Sequence, residues 1–188
     1  MEMAKEIKEN NLVSLDVVYG YFRAKAEKDS IYILDEKENV LETFTFPRQK
    51  GDEHLSLADY VAHDEIDNIA LSAVTSGRIA AETTAKLHDE GELEKSHLFG
   101  GLTTQLAEAL ADYIHNQVRS EWKIGPKDGE RFSFGYPACP DLADQVKLYN
   151  LLKPEEIDLK LTDSYQMDPE QSTSALIFHH PQAKLFNI

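Results

Sequence analysis

The stretch Leu102-Thr103-Thr104-Gln105-Leu106-Ala107-Glu108-Ala109-Leu110-Ala111-Asp112-Tyr113-Ile114-His115-Asn116-Gln117-Val118 decides how the chain is read. Leu102, Leu106, Ala109, Leu110, Tyr113, Ile114 and Val118 recur at three- and four-residue steps, which places them on one apolar stripe of a helix. Gln105, Glu108, Asp112 and His115 recur at the same steps on another face. The helical pattern extends from Arg78 to about Lys123, with breaks at Gly91 and at Gly100-Gly101. Two helices, or one long helix with a kink, are expected.

Outward from that region the pattern changes to short β-branched and aromatic runs. Residues 1 to about 10 form a short polar helix. Val17-Val18-Tyr19-Gly20-Tyr21-Phe22, Ser30 to Leu34, and Val40 to Phe46 are strands of an antiparallel meander. Asp35 to Asn39 turns between two of them, and Pro47 ends the run. Leu57 to Ala62 is a helical turn with Ser56 as its cap. Ile66 to Ser76 is a buried strand closed by Gly77. Downstream, Gly125 to Gly129 is a turn-rich break, and Arg131 to Pro140 reads as an irregular loop bracketed by Pro137 and Pro140. Asp141 caps a helix through Leu152, and Leu159–Thr162, Ser174–His179 and Ala183–Ile188 are three short strands. The order β-β-β-α-β-α-α-loop-α-β-β-β predicts an α+β fold: a mostly antiparallel twisted sheet packed by a long helix or helix pair, as one module over residues 1–188.

Composition narrows the function. With 34 acidic against 19 basic residues in 188, the formal charge is −15. That excludes the basic footprint of nucleic-acid binding and argues against docking on anionic membranes. The single cysteine, Cys139, excludes a disulfide framework and Cys-rich metal sites. The start, Met1-Glu2-Met3-Ala4-Lys5-Glu6, is charged and unlike a signal peptide, and no apolar run reaches the roughly 20 residues of a membrane span. A cytoplasmic protein is expected. Of seven histidines, none has ligand spacing, and His179-His180 would point to opposite faces of a strand, so no metal site is expected. Cys139 reads as a packing thiol rather than a nucleophile, and Trp122 as a packing residue at the helix end.

The richest stretch chemically is Arg131-Phe132-Ser133-Phe134-Gly135-Tyr136-Pro137-Ala138-Cys139-Pro140. A glycine and two prolines limit its conformations, and Arg131 supplies a permanent cation able to grip a carboxylate in two places. Two readings stand: a loop offering backbone groups to a flat ring, or a structural loop that packs its aromatics on the helix stripe. Glu108 likewise reads either as a ligand contact or as one member of a solvated polar face.

The pattern Arg-x-x-x-Gly-Tyr-Pro-Ala-Cys-Pro resembles the signature of the S-adenosylmethionine-binding activation domain of cobalamin-dependent methionine synthase. Leu57–Ala62, Ala73–Gly77, Leu106–Tyr113, Leu161–Tyr165 and Phe178–Pro181 resemble stretches of that domain in the same order. The similarity covers nearly the whole chain. It implies a module that binds S-adenosylmethionine and presents its methyl group to cobalamin held by a partner domain or subunit. It also implies that an electron from a flavodoxin-type donor restores cofactor stranded as cob(II)alamin. By the resemblance, Arg131 holds the methionine carboxylate, the backbone around Ser133 and Gly135 meets adenine, Tyr136 borders sulfonium and sugar, and Glu108 faces the cationic end. Such a module turns nothing over alone.

Two departures accompany the resemblance. The family's domain carries a further N-terminal portion with an acidic contact to the ligand's amino group, and this chain starts after it. Where the family often has a tyrosine pair, Lys184 is followed by Leu185 and Phe186. A truncated module or one subunit of a split enzyme is expected. The alternative expectation is a ligand-free interaction module docking on a corrinoid protein or a flavodoxin.

Overall fold

The structure, a computed structural model, describes residues 2–51 and 53–188. It divides into two compact units. The first comprises Met1–Val18, Ala73–Tyr113 and Lys153–Thr173, and the second Tyr19–Ser72, Ile114–Leu152 and Ser174–Ile188.

The second unit holds most of a six-stranded sheet. Strands β1 (Asp16–Glu27), β2 (Ser30–Leu34) and β3 (Val40–Thr45) form the expected antiparallel meander. Burial alternates at the end of β1, where Ala24 and Ala26 are buried and Lys25 and Glu27 are exposed. Lys28, at φ 56°, makes the tight turn that sets Ala26 opposite Ile31. The next turn is organised by Asp35, whose Oδ1 accepts N–H bonds from Lys37 at 2.7 Å and Asn39 at 2.8 Å. Strands β4 (Asp67–Thr75), β5 (Glu130–Ser133) and β8 (Ser172–Phe178) complete the order β3-β2-β1-β4-β8-β5. Central β4 is buried from Ile69 onward, as a strand covered on both faces must be. Helix α4 (Gln145–Leu152) lies on β3: Asn150 Nδ2 donates to Glu42 at 2.8 Å, and the Lys147 ammonium sits 5.5 Å from the centre of the Phe44 ring. Ile31, Ile33, Phe44, Leu57, Ile69, Leu71, Leu148 and Leu176 have no exposed surface. Each such side chain contributes about 1.5–3 kcal/mol.

The first unit holds α1 (Glu2–Asn10), α2 (Arg78–Asp89), most of α3 (Leu93–Trp122) and a small hairpin of β6 (Lys160–Leu161) and β7 (Met167–Asp168). Helix α2 starts after Gly77, at φ 85°, where a Cβ would lie 2.9 Å from the Ser14 carbonyl oxygen. Arg78 holds the hairpin, reaching Asp158 at 2.8 Å and Asp168 at 3.1 Å. Val74, Ala107 and Ala111 form a buried cluster, with Val17 and Leu110 packed on it.

Four expectations need correction. The helical region does break at Gly91, but Gly100-Gly101 lie inside α3 without interrupting it. The bare surface of Gly100 serves packing: a Cβ there would meet Thr84 Cγ2 at 3.3 Å, and Ser96 Oγ donates to the Thr84 carbonyl at 2.9 Å. The buried line of α3 runs through Thr103, Ala107, Ala111, Ile114, His115 and Val118, whereas Ala109 is exposed and Tyr113 is 65% exposed. Small side chains let the helix approach its neighbours, so the packed face is offset from the most apolar one. Residues 131–133, expected to be irregular, pair with Glu130 antiparallel to β8, because the two prolines lie beyond the pairing segment. Residues 183–188 form no strand. Side chains from the Gln49–Tyr60 segment hold them instead, as described below.

Candidate functional site

Four of the five residues singled out from sequence lie on one continuous segment of the second unit. Strand β5 places Arg131 opposite Ile177 and Phe132 opposite Leu176. Alternation along the strand buries Phe132 and leaves Arg131 and Ser133 half-exposed on the other side. Phe132 rests on an aromatic cluster, stacked with Tyr60 at 6.0 Å and edge-on to Phe178 at 5.7 Å. The strand that carries the guanidinium is thereby anchored from beneath. It is also fixed at its start: Gly129, at φ 74°, lies where a Cβ would be 2.3 Å from the Phe178 carbonyl oxygen. Arg119 donates to the carbonyls of Asp128 at 2.8 Å and Gly129 at 2.9 Å.

Beyond Ser133 the backbone closes on itself. Gly135, at φ 86°, donates its N–H to the Cys139 carbonyl at 2.8 Å, and Cys139 N–H donates to the Tyr136 carbonyl at 2.8 Å. A side chain at Gly135 would be strained by that φ and would crowd Leu142 Cδ2 at 3.1 Å. The result is a small rigid turn. Phe134, Ala138 and Cys139 point into the protein, and the Tyr136 ring is 66% exposed. Phe132 and Phe134 therefore do pack, as a structural loop requires, but Tyr136 is held outward as a free aromatic face. Asp141 then accepts the Ala143 N–H at 2.9 Å and opens the run into α4. Burial, then the charges of Asp144 and Asp141, push the Cys139 thiol far up, so it stays protonated and acts as packing.

Glu108, the fifth residue, is half-buried on the part of α3 that belongs to the first unit. His115, grouped with it by spacing, is buried.

Sequence spacing assigned no role to Tyr60, and the structure gives it one. Its hydroxyl donates to the Lys184 carbonyl at 3.3 Å and accepts the Lys184 N–H at 3.4 Å, and its ring meets Phe186 at 6.3 Å. Lys184 Nζ also reaches Glu53 at 2.8 Å, and Gln49 Nε2 donates to the Asn187 carbonyl at 2.6 Å. Leu185, between these anchors, is 70% exposed. Tyr60 is itself set by its turn: Asp59 accepts the Ser56 N–H at 2.9 Å and takes both Arg48 Nη atoms at 2.8 Å. A side-chain-to-backbone staple 124 residues apart leaves no local trace in sequence.

His179 follows β8. Its Nε2 lies 2.6 Å from Asp67 Oδ1, and its ring meets Trp122 at 5.3 Å. The bond to Asp67 raises the imidazole above its ordinary value, against the opposing effect of burial. Burial alone would raise the Asp67 carboxyl, but bonds from His179 and from the Ala62 and Asn68 N–H groups outweigh it and hold Asp67 low. Among the described residues, no group of three or more His, Cys, Asp and Glu is arranged to hold a metal, and no helix is long and apolar enough to cross a membrane. The Arg131–Tyr136 segment thus offers a cation, a bare turn and an exposed ring.

Known proteins resemble this chain. Residues 1–188 match the family described as "Vitamin B12 dependent methionine synthase, activation domain". The methionine synthases of Mycobacterium leprae and Mycobacterium tuberculosis are each 36% identical over 202 aligned positions, covering 92% of this chain and 17% of theirs. The chain therefore spans about a sixth of those relatives. A solved structure described as the MetH reactivation domain bound to AdoHcy superposes with a TM-score of 0.90 at 27% identity, over 99% of this chain and 65% of that one. On these matches, and on a signature segment shaped as its residues require, the chain belongs to the activation-domain family of vitamin B12-dependent methionine synthases.

Proposed function

We propose that this chain is a cytoplasmic S-adenosylmethionine-binding module that serves reductive remethylation of cobalamin in a methionine synthase, the cobalamin being held by a partner domain or subunit. The observation that carries the reading is the Arg131–Tyr136 segment, a half-buried guanidinium followed by a rigid turn that displays one aromatic ring. The ligand has a carboxylate, an ammonium and a sulfonium. Arg131 takes the carboxylate in two N–H bonds. The backbone at Ser133 and Gly135 meets adenine, and Tyr136 borders the sulfonium, where a cation on a ring face adds about 0.5–1 kcal/mol. The same reading gives Glu108 the cationic end of the ligand.

Cobalamin supplies the methyl acceptor. Held by the partner, it would accept the methyl group as S-adenosylmethionine leaves as S-adenosylhomocysteine, with the one electron that reactivation needs drawn from a flavodoxin-type donor. The sulfur leaves as a neutral thioether, so no general acid is needed, and the chain contributes orientation and exclusion of water.

Calorimetric titration with S-adenosylmethionine tests this. The wild type binds saturably, and Arg131→Ala binds about 10- to 100-fold more weakly, the worth of a charge-assisted bond of about 1.5–3 kcal/mol. A wild type without saturable binding refutes the ligand assignment. A second reading, a ligand-free module docking on a corrinoid protein or a flavodoxin, draws on exposed Leu185 and on Phe186, which lack hydroxyls. It requires co-sedimentation with a cobalamin-binding domain to be indifferent to S-adenosylmethionine.

A further inference from the structure

A cleft of about 640 Å³ opens within the first unit between α2, the start of α3 and the segment around β7. A smaller one of about 400 Å³ shares Thr84, His88, Ser96, Glu170 and Gln171 with it. The polar lining has an unusual bias. Thr84 Oγ1 donates to the Ala80 carbonyl at 2.8 Å, Ser96 Oγ to Thr84 at 2.9 Å, Thr104 Oγ1 to Gly100 at 2.9 Å, and Ser172 Oγ to Pro169 at 2.6 Å. Thr84, Ser96 and Thr104 turn their hydroxyl protons inward to carbonyls, Ser172 Oγ is shared between the Pro169 carbonyl and Thr75 Oγ1 at 2.9 Å, and Thr162 Oγ1 accepts the Gln166 N–H at 3.1 Å, so this lining offers mostly lone pairs.

Gln171 adds a second, independent observation. It is 3% exposed, it lines both clefts, and its Oε1 has no hydrogen-bond partner. A buried acceptor without a donor is costly and rare. Of the two carboxylates, Asp168 is taken by Arg78 at 3.1 Å, whereas Glu170 forms no ion pair among the described residues. The bare backbone of Gly101 faces open space, with nothing within 4 Å of a Cβ. His88 and His97 complete the rim. An anion finds no fixed cation here. A guest that brings several N–H protons and a positive charge satisfies each of these groups.

We propose that this cleft binds a small primary organic ammonium, which donates to Gln171 Oε1 and the adjacent hydroxyl oxygens while Glu170 supplies the opposite charge. The site is distinct from the Arg131–Tyr136 segment and independent of the reading given to it.

The test is a nuclear magnetic resonance titration of the 188-residue chain with ethylammonium. Tetramethylammonium, of equal charge but without N–H, and acetate serve as comparison probes. Ethylammonium is expected to give saturating shifts confined to Ser96, Gly100, Gly101 and Gln171, at least tenfold tighter than tetramethylammonium, and acetate none. Gln171→Leu, which removes the acceptor, weakens ethylammonium at least tenfold while leaving the melting temperature unchanged or higher. Glu170→Gln, on the surface and harmless to folding, weakens it several-fold. Equal response to the two cations, shifts scattered over the chain, or undiminished binding by Glu170→Gln overturns the proposal.

Discussion

Three glycines allow the start of β5 to be tested quantitatively. Gly51 has open space around it and no positive φ, Gly91 has φ 82° with open space, and Gly129 has φ 74° with a Cβ position 2.3 Å from the Phe178 carbonyl oxygen. Replacing each with alanine separates the terms. At Gly51 only the unfolded chain is affected, and stability stays within about 0.5 kcal/mol or rises slightly. At Gly91 the left-handed backbone adds a cost of about 1–2 kcal/mol. At Gly129 that cost remains, and the impossible contact opens the first rung, Glu130 opposite Phe178. One or two backbone bonds at about 0.5–1.5 kcal/mol each are then lost. The sum centres near 3 kcal/mol, or about 6–12 °C in melting temperature for a chain of this size. Urea unfolding of the three variants measures it. A Gly129→Ala variant no less stable than Gly91→Ala would refute the claim that the glycine sets the strand.

Other outcomes follow from the charges and the thiol. Because the folded His179 is raised, its contribution is complete below about pH 6.5 and fades as pH rises through the raised value. His179→Gln should lack that alkaline slope, and the difference, at most about 1 kcal/mol for a partly exposed pair, is read from urea midpoints between pH 5 and 9. Cys139 in the native chain should react with an aromatic disulfide reagent only as fast as the protein opens, and reaction at the rate of a free thiol contradicts its burial. Arg78→Met, which leaves Asp158 and Asp168 uncompensated, should cost about 1 kcal/mol and speed proteolysis near β6–β7. An unchanged cleavage rate there excludes a holding role for the guanidinium.

What could be read in advance depended on how local each cause was. Ser30–Leu34 stands where its β-branched and aromatic run put it, and Asp141 caps where its position before a helical pattern required. Arg131, Gly135 and Tyr136 form one short segment, so a sequence motif captures its geometry nearly whole. The packed face of α3 was misplaced because hydropathy favours leucines, whereas close approach favours Thr103, Ala107 and Ala111. Gly100 reads as a helix breaker in sequence, since its reason, Thr84 at 3.3 Å from a Cβ, lies on another helix. The staple from Tyr60 and the unmatched oxygen of Gln171 depend on residues far along the chain, and no period or spacing announces them.

The anchoring of the C-terminal segment has a consequence for sequence change. Lys184 and Asn187 are held through their backbone carbonyls, and Phe186 through its ring, while Leu185 projects outward at 70% exposure. The path of the chain is therefore set by Gln49, Glu53, Tyr60 and the aromatic floor, independently of what position 185 displays. Substitution at that one position alters the presented chemistry without rerouting its support, which makes it a place where relatives can diverge in recognition at little expense to folding.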